Sequence, residues 1–138
     1  MINSINISFI RELCDKSGFN TKLDSDGDIA MILRADSDFG HDVHIFFSVS
    51  DMKWLRIWGT SGLQIRKEQI KDIVMRINEY NKNTRYMKAY FEENRNWIVF
   101  ERYELIDENV SEEFILNNIV KLCPPYIWNA FKDIFSDL

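Results

Sequence analysis

Apolar side chains recur at every second position in three successive runs of this chain, and this spacing constrains the fold more than any other feature. The runs are Ile29, Met31, Leu33 and Ala35; then Val43, Ile45, Phe47 and Val49; then Leu55 and Ile57. A period of two places the apolar residues on one face of a β-strand and the intervening residues on the other. The runs predict strands over residues 28–35, 42–50 and 53–61, and a shorter strand over 19–23 precedes them. Turn residues lie between them at Asp26-Gly27, residues 36–40 and Ser50-Asp51.

A helical period flanks these runs. Residues 7–18 and 66–83 carry apolar side chains at spacings of three and four, which is typical of amphipathic helices. Two more strands are predicted over residues 85–92 and 96–105. Ser111 is the predicted cap of a last helix whose apolar side includes Phe114, Ile115, Ile119 and Leu122. Pro124-Pro125 should end that helix, and Pro125 can begin another turn, because proline is tolerated at a helix start and not in its interior.

The predicted order is therefore α-β-β-β-β-α-β-β-α. A single antiparallel β-sheet packed by helices, an α+β fold, buries these faces most economically. The chain has 138 residues, of which 46% are hydrophobic, so it is long enough to build a core. We expect a single domain over residues 1–138.

Composition also limits the classes of function. The net charge is −5 and no run of Lys and Arg forms a basic patch, so we expect no nucleic-acid partner. The apolar runs are too short to cross a membrane. The start, MINSINISFIREL, lacks the basic and apolar segments of a secretory signal. Cys14 and Cys123 are predicted to be reduced structural residues of a cytosolic protein, although a disulfide between them stays open.

The stretch LDSDGDIAMIL, residues 23–33, resembles the start of a calcium-binding EF-hand loop. Such a loop needs a glycine at its sixth position and a bidentate glutamate at its twelfth. Counted from Asp24, these positions hold Ile29 and Ala35, and a strand follows instead of a helix. Asp26-Gly27 is a strong signal for a hairpin turn, because glycine accepts the positive φ that such turns require. We therefore predict a turn and no metal site.

Other candidate sites are weaker. His41 and His44 would point to opposite faces of a strand, which is poor zinc geometry, so we interpret them as surface residues. No glycine-rich phosphate loop or nucleophile motif is present. Glu92-Glu93 and the carboxylate-rich residues 104–113 are typical of solvated turns and helix starts. We predict no catalytic residue, no cofactor and no enzyme; a hydrolase built on these carboxylates has the least support.

The second face of the sheet carries the remaining signal. It is predicted to present aromatic and basic residues, namely Phe46, Trp54, Arg56, Trp58, Tyr86, Lys88 and Tyr90. Trp, Tyr and Arg are the residue types that anchor protein interfaces. A large amphipathic sheet surface must contact something. Two interpretations stay open: the face binds a partner, or the terminal helix covers it and these aromatic residues belong to the core.

The chain from Phe19 to about Phe135 resembles the YbjN-domain family, described as bacterial sensory transduction regulators with a type III secretion chaperone-like fold. The resemblance rests on the element order, the Asn78-Glu79-Tyr80-Asn81 helix end, the hairpin with an acidic turn that follows it, the helix opened by NVSEEF, and the first hairpin, LDSDGDIAMI. Asn78 and Asn81 are expected to cap the helix end and bridge to the next strand. Pro124-Pro125 departs from the family's continuous last helix. The resemblance implies a non-enzymatic regulatory or chaperone-like role in a bacterial cytoplasm, as a homodimer.

Two functional hypotheses follow. The first is a protein-binding module that binds another protein or itself, through the aromatic face or by strand addition at a sheet edge. The alternative is a small-ligand or metal-ion sensor that uses the acidic turns and the histidines.

Overall fold

One antiparallel sheet organises the computed structural model, which describes residues 6–107 and 109–136. The strands are β1 (Lys22–Leu23), β2 (Ile29–Leu33), β3 (Val43–Val49), β4 (Trp54–Thr60), β5 (Lys88–Glu92) and β6 (Trp97–Leu105). Their order in the sheet is β1-β2-β3-β4-β6-β5, and all neighbours are antiparallel. The predicted α+β class, with a single antiparallel sheet and this order of elements along the chain, is confirmed. Residues 1–5, which belong to the stretch predicted to lack a secretory signal, and Glu108, in the carboxylate-rich run, lie outside the described residues.

The helices begin where the sequence supplies caps. They are α1 (Ile7–Lys16), α2 (Ile70–Asn83), α3 (Glu112–Ile115) and α4 (Cys123–Phe135). A 3₁₀ turn, Lys67–Gln69, leads into α2 and a π-helical turn, Leu116–Val120, follows α3. The Asn6 side chain accepts a hydrogen bond from the Phe9 amide, and Ser111 does the same for Phe114, each at 3.0 Å. These bonds satisfy amides that have no partner within the helix.

The double proline lies in the first turn of α4, where a missing N–H removes no helical hydrogen bond. The interruption that we predicted near the prolines is thus found just before them, at residues 121–122. Leu122, which was expected on the buried side of the last helix, is instead 41% exposed. It lies in this interruption, outside the spacing that buries Ile115 and Ile119.

The hydrophobic core lies on one face of the sheet. Cross-strand partners point to the same side, so the register Ile29↔Phe47↔Ile57 makes a row across β2, β3 and β4, and all three residues are fully buried. Ile10 of α1, Ile73 of α2 and Phe131 of α4 belong to the same core cluster. Helices from both ends and from the middle of the chain therefore cover this aliphatic face.

Both cysteines are free and fully buried. The open alternative of a disulfide between Cys14 and Cys123 is thereby excluded, and the interpretation of two structural thiols stands.

Candidate protein-interaction surface

The opposite face of the sheet carries a mixed aromatic and charged surface. The register Phe46↔Trp58↔Glu101↔Lys88 runs across four strands and puts these side chains in one row. A second row joins Arg56 to Tyr103. We call this surface the open face and define it by Phe46, Trp54, Arg56, Trp58, Lys88, Tyr90, Glu101 and Tyr103.

Aromatic contacts order the middle of the open face. The rings of Phe46 and Trp58 stack, with centroids 4.3 Å apart and planes inclined by 20°. The Arg56 guanidinium lies over Trp58, 4.9 Å from the ring centroid, and 5.9 Å from that of Tyr103. Such cation–π contacts hold the guanidinium against the aromatic surface. Trp54 and Tyr103, at 43% and 48% exposure, present large aromatic area to solvent.

A buried carboxylate links the charged residues of this face. Arg56 donates from Nε and Nη2 to Oε2 of Glu101, at 3.1 and 2.9 Å, and the Lys88 ammonium lies 3.4 Å from Oε1. Glu101 is only 6% exposed. A buried carboxylate is tolerated when it is paired and hydrogen-bonded, and Glu101 has two cations around it. The network fixes the position of Arg56, and the exposed Lys88 ammonium lies at its edge.

Tyr90 completes the network. Its hydroxyl accepts a hydrogen bond from Arg56 Nη2 at 3.4 Å. Burial raises the pKa of Tyr90, and the negative charge of Glu101 raises it further. The phenol is therefore neutral at physiological pH and serves as a hydrogen-bonding group, with its ring part of the surface.

The structure brings together six of the seven residues predicted for this face. Tyr86 is the exception, and its expected placement beside Lys88 is wrong. Its hydroxyl donates to the Asn118 carbonyl and lies 2.9 Å from the Cys123 sulfur, on the helix-covered side. The strand β5 begins only at Lys88, so the period of two that we extended back to Tyr86 does not apply there.

The sequence interpretation also missed two members of the face. Glu101 and Tyr103 alternate with inward-facing residues along β6, and the same period of two could have found them. That period does not reveal that Glu101 is the common partner of Arg56 and Lys88, because this contact depends on the register of β4 and β5 with β6.

The terminal helix does not cover the open face. The Phe131 ring of α4 packs edge-on against the Phe100 ring, with centroids 4.7 Å apart. Phe100 is the cross-strand partner of Gly59, on the aliphatic side of the sheet. The interpretation that placed α4 over the aromatic residues is therefore wrong. Across residues 6–107 and 109–136, no helix is assigned to the open side of the sheet core.

The acidic stretch forms the predicted hairpin turn. The Asp24 amide donates to the Asp28 carbonyl at 2.9 Å, and Gly27 has a φ of 82°. Carboxylate oxygens of Asp24, Asp26 and Asp28 lie within 4.8 Å of one another, close enough to hold a cation. Asp24 Oδ1 already accepts from the amides of Asp26 and Asp28, so the turn itself accounts for the cluster. Burial raises the pKa of Asp28, and the charges of Asp24 and Asp26 raise it further.

The histidines stand apart from this cluster. His41 is exposed beside Phe39, with ring centroids 5.5 Å apart, and His44 is half-buried opposite Thr60. Neither joins a group of three possible metal ligands within the part of the chain that the structure describes.

Comparison of the chain with protein-family models, with curated proteins and with solved structures gives no match. The similarity to the YbjN-domain family accordingly stays a prediction. Among the helices described, none combines the length and the apolar character that crossing a membrane requires.

Proposed function

We propose that this protein is a non-enzymatic protein-binding module that acts through its open face. The observation that supports this most is the exposure of Trp54 and Tyr103 on a sheet surface that α4 leaves uncovered. Aromatic residues with a fixed arginine in their midst are the usual anchors of protein interfaces. Arg56 is held in place by Glu101, so little side-chain entropy is lost when a partner contacts it.

The partner in this proposal is another protein or a second copy of the chain, with a regulatory or chaperone-like role in a bacterial cytoplasm. The compartment and the homodimer come from the resemblance to the YbjN-domain family. The open face fits either partner, because two such faces could pack as a sheet-on-sheet interface.

Trp54→Ala tests the proposal most directly. Trp54 is 43% exposed, so truncation should remove an anchor and leave the fold intact. We expect light scattering over a range of protein concentrations to show self-association of the wild type and its loss in Trp54→Ala. Met75→Ala is the matched control, because Met75 is an apolar residue of α2 that is 61% exposed and lies away from the open face.

If the wild type is a monomer at every concentration, the same variants serve as baits for bacterial lysate. A partner retained by the wild type and by Met75→Ala, and lost with Trp54→Ala, supports the proposal. Equal behaviour of Trp54→Ala and the wild type in both assays contradicts it. Trp58→Ala should also weaken binding, and a collapse of its thermal stability would assign the stacked Trp58 to the structure of the monomer.

The alternative function, a sensor of a metal ion or small ligand, has the three clustered aspartates in its favour. Calorimetric titration with calcium and with zinc distinguishes the two. Under our proposal the titrations give no heat beyond dilution. A saturable heat that is lost in Asp26→Asn would favour the sensor instead.

A further inference from the structure

The exposed apolar side chains of the open face gather at one end of the sheet. Of the eight large hydrophobic residues that are exposed in the described chain, four lie here: Met52, Trp54, Tyr103 and Leu105. Trp54 and Leu105 are cross-strand partners, and Tyr103 lies in the adjacent row, opposite Arg56. Met52 is in the turn before Trp54 and is 79% exposed. Contiguous exposed apolar area is typical of an interaction site.

Turns with an excess of aspartate surround this apolar cluster. The strand register places the end of β1, the start of β2, the end of β3, the start of β4 and the end of β6 at the same end of the sheet. The segments next to these strand ends carry five carboxylates and one cation, namely Asp24, Asp26, Asp28, Asp51, Asp107 and Lys53. Within residues 6–107 and 109–136, none of these six side chains forms an ion pair. We call this part of the open face, with its four apolar residues, the acidic end.

The nearest other cations do not reverse the balance of charge. Arg56 and Lys88 are both paired with Glu101, and Lys22 lies on the outermost strand, β1. When these residues are counted with the acidic end, six carboxylates stand against four cations. The whole chain, with a net charge of −5, has the same sign. Charge complementarity therefore favours a basic partner.

Asp28 joins the acidic turn to the open face. Burial raises its pKa most, the charges of Asp24 and Asp26 raise it further, and the positive charge of Arg56 offsets only part of the rise. The carboxylates thus repel one another beside the aromatic surface on which Arg56 lies. A cation supplied by a partner would relieve this repulsion.

The position of the apolar cluster on the sheet limits the form of the partner. Trp54 belongs to β4, which lies between β3 and β6, so the hydrogen-bonding groups of β4 point to those strands and not to the face above. A segment that rests on this face must satisfy its backbone hydrogen bonds within itself, which an α-helix does. The occupant that fits is therefore a helix with one apolar side.

We propose that the acidic end binds an amphipathic helix of another protein, whose apolar side packs on Trp54, Tyr103 and Leu105 and whose flanking lysines or arginines face the aspartates of the turns. This inference rests on the proposed role of the open face and names the kind of partner that fits one part of it. Two copies of the chain packed with their acidic ends together would repel each other, so a second copy is not the occupant of this end.

The probe is a fluorescent synthetic peptide of about 18 residues, made of leucine, alanine and lysine with the leucines on one side of a helix. We expect saturable binding in fluorescence anisotropy, and shifts of the Trp54 indole signal when the peptide is added to ¹⁵N-labelled protein. The same peptide with glutamate in place of lysine should show no saturable binding. A peptide with the lysine version's composition in scrambled order has no apolar side and should bind about tenfold more weakly.

Two double variants separate the acidic end from the charge of the whole chain. Asp26→Asn/Asp51→Asn, at exposed positions, should weaken binding of the lysine peptide by about threefold to tenfold, because two exposed ion pairs are lost. Glu79→Gln/Glu93→Gln is the matched control, since both residues are exposed and lie on α2 and in the turn between β5 and β6. It should change the affinity by less than about twofold. Trp54→Ala should weaken binding by about tenfold or more.

Equal affinities of the lysine and glutamate peptides would overturn the inference, as would equal losses in the two double variants. Absence of binding by the lysine peptide, or binding that leaves the Trp54 indole unshifted, also overturns it. These results are distinct from failure of the proposed function. If Trp54→Ala loses self-association or its lysate partner while the peptide does not bind, only the basic helix is overturned. If Trp54→Ala behaves as the wild type in those assays, the open face itself is the wrong surface.

Discussion

Gly59 of β4 and Ile127 of α4 approach so closely that a methyl group on Gly59 would lie 2.8 Å from Cγ2 of Ile127. The same methyl group would lie 3.3 Å from the His44 carbonyl oxygen on β3. A glycine inside a strand often marks a place where another element comes close. The absence of a side chain at Gly59 thus lets α4 pack closely on the aliphatic face.

Gly59→Ala should lower the free energy of unfolding by about 1–3 kcal/mol, the usual cost of an added methyl group in a tight core. Chemical denaturation measures this. In an Ile127→Ala background the same change should cost less, because the methyl group that it meets is gone. Gly40→Ala is the control: nothing lies within 4 Å of a methyl group there. Equal effects at Gly59 and Gly40 would show that α4 does not depend on this contact.

Asn81→Ala should also destabilise the protein, by about 1–2 kcal/mol. The change removes both hydrogen bonds to Ala89, which is 3% exposed, and leaves its backbone groups short of partners. Asn81→Asp keeps only the acceptor, so its free energy of unfolding should lie between those of the wild type and Asn81→Ala. Asn78→Ala, at an exposed position of the same helix, should change the free energy of unfolding by less than about 0.5 kcal/mol. If Asn81→Ala and Asn78→Ala have the same free energy of unfolding, the two hydrogen bonds between Asn81 and Ala89 do not stabilise the fold.

Local patterns in the sequence were enough to predict most of the fold. The period of two located β2, β3 and β4, and the chemistry of Asp26-Gly27 and Ser111 located a turn and a helix start. The expectation that Asn78 and Asn81 bridge the helix end to the next strand is confirmed for Asn81, which bonds to Ala89 eight positions on. It is wrong for Asn78, which is exposed and, among the described residues, bonds to no strand. Each of these features depends on residues within a few positions of one another.

Features that depend on long-range register could not be predicted in the same way. The pairing of Arg56 with Glu101 joins residues 45 positions apart, and it exists because β4 lies beside β6. The side on which Tyr86 lies depends on where β5 begins. The open face was predicted from its residues, whereas the buried carboxylate at its centre needed the structure.

Glu101→Ala should lower the free energy of unfolding by about 1–3 kcal/mol, because it removes the carboxylate that pairs with the half-buried Arg56 guanidinium. Arg56→Ala should lower the free energy of unfolding by a similar amount, since the buried Glu101 carboxylate then keeps only Lys88 as a positive partner. Lys88→Ala should cost less than about 1 kcal/mol, because the Lys88 side chain is 64% exposed and its ion pair is screened by water. A double-mutant cycle on Glu101 and Arg56 measures their coupling. Strict additivity of the two changes would mean that the network does not hold Arg56 in place.

The buried thiols should make the protein less stable at alkaline pH. Burial raises the pKa of Cys123 from 9.0 to about 11, and burial followed by the charge of Asp15 raises that of Cys14 to about 12. Between pH 9 and 11 the unfolded chain has lost these protons while the folded protein keeps them. The folded state therefore binds more protons, and its stability falls as the pH rises through this window.

Cys123→Ala isolates this effect from the lysines and tyrosines that titrate over the same range. Denaturation curves measured from pH 8 to above pH 10 should show a smaller loss of stability in the variant than in the wild type. A thiol reagent at pH 8 should react slowly with the folded wild type and fast after unfolding, because only a thiolate in contact with solvent is reactive. Parallel stability curves for the two proteins, or fast labelling of the folded chain, would place Cys123 in a solvated site and contradict the burial seen beside Tyr86.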